Sequence, residues 1–175
     1  LYSSSADLKA EALRTLAALA PERAASHLTQ MISQRMLTPA ALDAMGILMV
    51  TEKQLRPDLL RTLQTSATDS QPLHATAAIR ALGTIWKTFY SNRALGLAID
   101  SSLVSALAYH TQSNPQNTSA IQTIASIFSD SMFASPKFSA PLQAALAQLS
   151  SRRDAETVMA LLDALAALHD STALP

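Results

Sequence analysis

The stretch AALDAMGIL, residues 40–48, recurs 37 residues later as AAIRALGTI, residues 77–85, with small, long apolar and glycine residues in matching positions. The chain has only three glycines, and two of them, Gly46 and Gly83, occupy the seventh position of this pattern. Glycine inside a helix costs roughly 1 kcal/mol relative to alanine, so packing outside the helix must compensate. We therefore expect both glycines to lie in mid-helix, where the missing side chain lets a neighbouring helix come close.

The same pattern aligns without gaps to three further segments, at spacings of 29, 37, 42 and 38 residues between successive copies. The five copies are EALRTLAAL (11–19), AALDAMGIL (40–48), AAIRALGTI (77–85), SAIQTIASI (119–127) and TVMALLDAL (157–165). Their third, sixth and ninth positions are always apolar, and the seventh is small in four copies and Asp163 in the fifth. Each copy falls in every second predicted helix, which indicates a repeated pair of helices.

Proline divides the chain into segments with helical apolar spacing, and proline is best tolerated in the first turn of a helix. No alternating strand pattern or Asn-Gly hairpin signal lies between these segments, so the predicted fold class is all-α. The predicted helices span 5–19, 22–36, 39–50, 54–67, 72–89, 92–111, 116–132, 137–150 and 153–168. For the sixth, an unbroken i, i+4 row of apolar residues favours one helix, although Gly96 offers a break.

Helix pairs that recur every few tens of residues are typical of an α-solenoid, in which each pair buries its apolar face against its neighbours. We expect residues 1–175 to form a single α-helical repeat domain of about nine helices, arranged as an α-α superhelix. The first copy lies almost at the start of the chain, which suggests a segment of a longer protein or array. The alternative is an irregular helical bundle whose helices share an alanine and leucine pattern through composition.

Residues 5–19, SADLKAEALRTLAAL, and the segment AAIRALGTI resemble the second helix of HEAT repeats, with Asp7, Leu8 and Lys9 followed by an alanine and leucine core. The motif is loose and is shared with armadillo-like repeats, and the later copies depart from it at His74 and Ala75. The resemblance implies a HEAT/armadillo-like solenoid that acts as a protein interaction or scaffold module. The alternatives are a structural subunit, one chain of a larger complex, or, less favoured, a HEAT-like enzyme of the DNA glycosylase or bilin lyase type.

Composition limits the classes of partner. Thirteen basic and thirteen acidic residues cancel, which argues against nucleic acid because a phosphate-binding surface needs a basic excess. No apolar run is long enough to cross a bilayer, so no membrane insertion is expected. Without cysteine the chain fits a reducing or an oxidising compartment; we expect a soluble chain, with the cytoplasm slightly favoured over other compartments. The partner expected is a protein or peptide.

Motifs for catalysis are missing from the sequence. No nucleophile elbow, phosphate-binding glycine loop or His-Glu-x-x-His motif occurs. The four histidines, at positions 27, 74, 110 and 169, share no spacing typical of metal ligands. We therefore expect no enzyme activity, no catalytic residues, no metal and no cofactor.

The fourth position of the repeat is the first candidate surface. It holds Arg14, Asp43, Arg80, Gln122 and Ala160 in chain order. If successive second helices stack side by side, these residues line one face and offer charge-assisted hydrogen bonds to an extended or helical partner. The alternative is an ordinary solvated polar face.

The second candidate surface is the segment IWKTFY, residues 85–90, which contains the only tryptophan. Trp86, Phe89 and Tyr90 fall at i, i+3 and i+4 and share a helix face. Aromatic residues of this kind anchor protein interfaces, and they equally seal a core. Trp86 and Tyr90 therefore remain candidates for both roles, while Phe89 is expected in the core.

Overall fold

The computed structural model describes residues 2–89, 93–129, 136–149 and 154–172. These residues form nine α-helices and one short 3₁₀ turn, and no strand occurs among them, so the predicted all-α class is confirmed. The helices are α1 (Tyr2–Leu19), α2 (Pro21–Ser33), α3 (Pro39–Glu52), α4 (Pro57–Ser66), α5 (Pro72–Phe89), α6 (Arg93–Gln112), α7 (Thr118–Phe128), α8 (Ser139–Leu149) and α9 (Ala155–Thr172).

The helix boundaries have local chemical causes. Four helices, α2 to α5, begin at a proline. The predicted starts of α3 and α5 are confirmed, whereas α2 begins one residue earlier and α4 three residues later than predicted. Thr38 caps α3 by accepting a hydrogen bond from the Ala41 amide at 3.2 Å. Asn117 caps α7 by accepting one from the Ala120 amide at 3.3 Å, so the helix begins two residues later than predicted. In both caps a side-chain oxygen satisfies an amide that has no partner within the helix.

Two basic residues end helices in the left-handed conformation, and α4 is shorter than predicted as a result. Lys53, at φ 52°, follows α3, and Arg35, at φ 54°, follows α2. The amide of Gln54 donates to the Met49 carbonyl at 3.2 Å, which closes the turn and makes residues 54–56 a loop. The sixth predicted helix is one continuous helix, as expected, since α6 runs unbroken through Gly96.

The chain divides into two compact units, Leu1–Ser91 and Asn92–Pro175. In the first unit α3 packs most extensively against α5 and next against α1, while α2 contacts α1 and α3, and α4 contacts α3 and α5. The alternate helices α1, α3 and α5 therefore lie side by side, with α2 and α4 forming a second layer. These three helices carry the first three copies of the sequence pattern.

Close approach of α3 and α5 explains the glycine in the second copy. A Cβ added to Gly46 would lie 2.9 Å from the Cβ and 3.1 Å from the Cα of Ala81. This confirms the expected contact between Gly46 and a neighbouring backbone. Gly83 is buried within α5, and its close contact stays a prediction.

In the second unit α7 packs against α9, α6 contacts α7 and α8, and α8 packs against α9. The rings of Phe128 and Phe138 stack with their centroids 4.0 Å apart. The ammonium of Lys137 pairs with the carboxylate of Asp100, whose side chain is only 9% exposed. This core thus combines aromatic stacking with a half-buried ion pair.

The third, sixth and ninth positions are buried in the second, third and fourth copies but not in the fifth, whose predicted register is wrong. In the first copy Leu13 and Leu16 are half-buried and Leu19 is 80% exposed. Buried positions in α9 are Thr157, Leu161, Ala164 and Leu168. The aligned apolar positions Met159 and Leu162 are instead 56% and 43% exposed. Since α9 is apolar on nearly every side, a gapless alignment can match it in more than one rotation about its axis. The repeat positions that are buried in α3 and α5 are therefore not the ones that are buried in α9.

None of the helices in the described ranges is long and apolar enough to span a bilayer.

Candidate functional site

The first unit brings three of the predicted site residues together. Arg14 lies on α1, Asp43 on α3 and Arg80 on α5. Because these helices pack side by side in similar register, the same position of each repeat copy comes to the same place on the surface. We call Arg14, Asp43 and Arg80 the ion cluster.

Asp43 is the centre of the ion cluster. Arg80 donates from Nη2 to both carboxylate oxygens of Asp43, at 2.9 and 3.0 Å, and from Nε to Oδ1 at 3.1 Å. Arg14 donates from Nη2 to Oδ2 at 2.9 Å. The Asp43 side chain is 11% exposed, whereas that of Arg80 is 56% exposed. One half-hidden carboxylate thus fixes two guanidinium groups whose outer edges face solvent.

The charges of the ion cluster sum to one positive charge. The hydrogen bond to Asp43 raises the pKa of Arg14 above its ordinary value, with a smaller contribution from Glu11. Glu11 Oε2 lies 3.5 Å from Arg14 Nη1, one helical turn earlier on α1. With Glu11 included, the two arginines and two carboxylates balance in charge, and Arg80, at 56%, has the more exposed of the two arginine side chains.

The close contact at Gly46 helps to build this site. Asp43 lies three residues before Gly46, and Arg80 directly precedes Ala81, against which Gly46 packs. The short aspartate side chain reaches the arginine across the helices because the two backbones are close. A shallow depression of about 370 Å³ beside the ion cluster is lined by Gly46, Ile47, Ala81 and Thr84 as well as the three charged residues.

The other predicted members of the stripe do not join the ion cluster. Gln122 belongs to the second unit, where its side-chain amide donates to Thr157 Oγ1 at 3.0 Å. Ala160 lies on α9, whose register differs from the other copies. The structure therefore groups three of the five positions, and it pairs them with one another.

The aromatic candidate residues differ in burial. Trp86 is fully buried, so of the two roles that the sequence left open it takes the core role, and its ring is not exposed to a partner. Phe89 is half-buried at the end of α5. Tyr90 lies outside the described residues, and its role stays a prediction.

A groove next to the ion cluster was missed in the sequence. It lies between α1, α2 and the start of α3, has a volume of about 940 Å³, and includes Arg14 in its lining. Its apolar lining contains Leu13, Leu16, Met31 and Leu73. The signal for it was present, since α1 has leucines on more than one side while only one side packs against α3. We call this depression the α1 groove.

The described histidines do not converge on a common site. His110 is buried, and its Nδ1 lies 3.5 Å from the side-chain nitrogen Nδ2 of Asn117. His74 lies in the first turn of α5, and its Nδ1 is 3.6 Å from Oδ2 of Asp69, which precedes the helix. Within the described ranges, no group of three or more His, Asp or Glu side chains is arranged to hold a metal ion.

No protein-family model, curated protein or solved structure matches the chain.

Proposed function

We propose that the chain is a protein interaction module built from stacked helix pairs in the manner of HEAT and armadillo repeats. Support for the stacked pairs comes from the first unit, where α1, α3 and α5 lie side by side and α2 and α4 form the second layer. In the second unit, α7 packs against α9 in the same alternate fashion. The partner is a protein or peptide that binds across the face carrying the ion cluster.

The observation that carries this proposal is the geometry of Arg80. Asp43 holds its guanidinium by three hydrogen bonds, and more than half of the side chain remains exposed. Binding then costs less side-chain entropy, because the guanidinium is already oriented. Its planar fork suits a carboxylate or a backbone carbonyl with defined geometry. An acidic peptide segment is therefore the partner chemistry that this face favours.

The test is a selection of random peptides displayed on phage against the immobilised chain. We expect enriched peptides to contain Asp or Glu, since the exposed guanidinium of Arg80 can donate to a carboxylate. Synthetic versions of these peptides should bind the Arg80→Glu variant at least about tenfold more weakly, because like charges across an interface repel.

A matched control is Arg61→Glu, which makes the same charge change at an exposed arginine on α4. The peptides should bind this variant as they bind the wild type. Enriched peptides without acidic residues, or equal loss of binding in both arginine variants, would contradict the proposed face.

A second candidate function is that of a structural subunit covered by other chains. It is favoured by one face of α1, where Leu8 and Leu19 are 70% and 80% exposed and Ala12 lies exposed between them. Scattered exposed apolar residues are ordinary, but a row of them on one helix marks a contact surface. No cluster among the described residues favours the DNA glycosylase or bilin lyase alternatives.

A further inference from the structure

In the first unit, one side of each repeated helix is marked by the second, fifth and ninth positions of the sequence pattern. These positions are spaced i, i+3 and i+7, so they share a helix face. On α5 this face meets α3, because Ala81 at the fifth position packs against Gly46. In α3 and α5 all six residues at these positions are at most 3% exposed: Ala41, Ala44, Leu48, Ala78, Ala81 and Ile85.

The same side of α1 is exposed. Ala12, Thr15 and Leu19 occupy the second, fifth and ninth positions of the first copy, and none of them is buried. Leu8, two turns before Thr15, extends the row and is 70% exposed. A depression of about 480 Å³ follows this side of the helix, next to the α1 groove. We call Leu8, Ala12, Thr15 and Leu19 the outer α1 face.

The packed helices show which kind of surface this face accepts. Where α5 meets α3, the fifth position of one helix lies against the seventh position of the other, and Gly46 has no side chain there. The α1–α3 contact follows the same order, since Ala17 at the seventh position of α1 and Ala44 at the fifth position of α3 are both fully buried. A helix that covers Thr15 in this way therefore needs glycine or alanine at its seventh position.

A second copy of this chain does not offer such a helix. Among the five copies of the pattern, the small seventh positions are all buried within the chain: Ala17, Gly46, Gly83 and Ala125. The seventh position of α9 is Asp163, which is exposed but charged and longer than alanine. The occupant that fits is thus a helix of another protein.

We propose that the outer α1 face binds a helix of a partner protein that presents glycine or alanine between apolar residues. The partner helix lies beside α1 as α3 lies beside α5, and it continues the row of α1, α3 and α5. Its small residue lies over Thr15, while Leu8 and Leu19 pack against its apolar residues on either side. The inference rests on the second candidate function, the subunit covered by other chains, and gives that function a definite contact. It uses no residue of the ion cluster.

The probe for this contact is a fluorescein-labelled peptide of residues 39–52, the helix that presents Gly46 to α5. A staple between positions 47 and 51 keeps the peptide helical, because an isolated helix of this length is marginal in water. We expect the peptide to bind the full chain in fluorescence anisotropy titrations. The same peptide with Gly46→Leu should bind at least about tenfold more weakly, because the added side chain holds the two helices apart.

Variants of the chain test where the peptide binds. Thr15→Glu should weaken binding by about tenfold or more, because it adds a charged group at the centre of the contact. Thr65→Glu makes the same change at an exposed threonine on α4; it is the matched control and should bind as the wild type does. Arg80→Glu should also bind normally, which separates this contact from the acidic-peptide site. The far-UV circular dichroism of each variant should match the wild type.

Three results would overturn the proposal. The first is a peptide that does not bind the wild type, or that binds Thr15→Glu equally well, since it would then occupy another place. The second is binding that Thr15→Glu abolishes but Gly46→Leu in the peptide does not change. That result would refute the stacked geometry and keep α1 as the contact surface that the second candidate function requires. The third is self-association of the wild type in sedimentation velocity that Thr15→Glu abolishes, because the occupant would then be a second copy.

Discussion

The two units have different interiors. In the first unit the buried residues are almost all apolar, and Ser66 is the one polar side chain buried among its described residues. In the described part of the second unit five polar or charged residues are buried: Asp100, His110, Thr111, Asn117 and Thr157. The first interior depends on close packing of helices, whereas the second also requires hydrogen-bond partners for groups removed from water.

This difference explains where the sequence pattern holds and where it fails. Close packing requires small residues at fixed positions, and these are visible as Gly46 and its equivalents. In α9, by contrast, Asp154 accepts from the amide of Thr157 at 3.3 Å and from its hydroxyl at 2.8 Å. Gln122 also donates to that hydroxyl. These polar contacts direct Thr157 inward, which leaves Met159 and Leu162 facing outward.

The largest expected effect concerns the close contact in the first unit. Gly46→Leu should destabilise that unit by about 3 kcal/mol, because overpacking typically costs 1–3 kcal/mol and here the first added atom already meets the Ala81 backbone. Trp86, the only tryptophan, lies buried in the same unit. Its fluorescence during urea denaturation therefore reports the loss directly.

A matched control is Ala18→Leu, which adds the same side chain at an exposed position of α1. It should change the free energy of unfolding by less than about 0.5 kcal/mol. If Gly46→Leu unfolds at the wild-type urea concentration, close packing does not stabilise the first unit. Gly83→Leu should cost about 1–3 kcal/mol by the same reasoning from the sequence.

The second prediction tests the polar interior of the second unit. Lys137→Met should cost about 2–3 kcal/mol, because it leaves the Asp100 carboxylate buried without its cation. Asp100→Asn should cost less, since the Lys137 side chain is 42% exposed and can turn to water. Hydrogen exchange of peptides from α6, measured by mass spectrometry, follows this unit separately from Trp86.

The double variant sharpens the interpretation. Adding Asp100→Asn to Lys137→Met should recover most of the lost stability, because no unpaired charge then remains. Equal costs for the two single variants would show that the pair acts through packing and not through desolvation of the carboxylate.

Most of the fold was predictable from the sequence, for a physical reason. Prolines and apolar spacing are local signals, and they located all nine described helices. Boundaries depended on caps that compete with neighbouring residues, as at Asn117 and Lys53. The rotation of α9 was not predictable, since alanine and leucine on nearly every side give no single apolar face. The superhelix and the single repeat domain stay predictions.

The candidate site was predictable in part. Equal repeat positions brought Arg14, Asp43 and Arg80 together, because side-by-side helices align equivalent residues. The sequence did not predict that Asp43 binds both arginines. This contact depends on the short distance between α3 and α5, which the glycine pattern indicates only indirectly. The burial of Trp86 depends on packing between helices, which its spacing along α5 does not specify.

A smaller effect is expected at the ion cluster, where the first unit does contain charges. Asp43→Asn should destabilise that unit by about 1 kcal/mol, because partly exposed ion pairs contribute little individually but two arginines share this carboxylate. Added salt should reduce the difference from the wild type, since it screens exposed charges. Urea denaturation followed by Trp86 at low and high ionic strength measures both.

A difference that is independent of salt would mean that Asp43 acts through hydrogen-bond geometry alone. The second unit, followed by hydrogen exchange of α6, should not respond to Asp43→Asn. A response there would contradict the separation of the two interiors.

The smallest expected effect is a pH dependence confined to the first unit. Arg56 donates to Glu52 from Nε at 2.8 Å and from Nη2 at 2.6 Å. These hydrogen bonds lower the pKa of Glu52 below its ordinary value of 4.5. A lowered pKa in the folded state stabilises the fold at pH values above the pKa of the unfolded state, and this contribution is lost as the pH falls through the pKa of the folded state.

For an i, i+4 pair we expect the contribution to be about 0.5 kcal/mol. Arg56→Gln should therefore be less stable than the wild type at neutral pH, and the difference should shrink as the pH falls below 4.5 and vanish once it is below the lowered pKa of the folded state. Arg61→Gln, at an exposed arginine on the neighbouring helix α4, is the control and should show no such convergence. A constant difference between Arg56→Gln and the wild type from neutral to acid pH, followed by Trp86 fluorescence, would show that the pair does not contribute through the charge of Glu52.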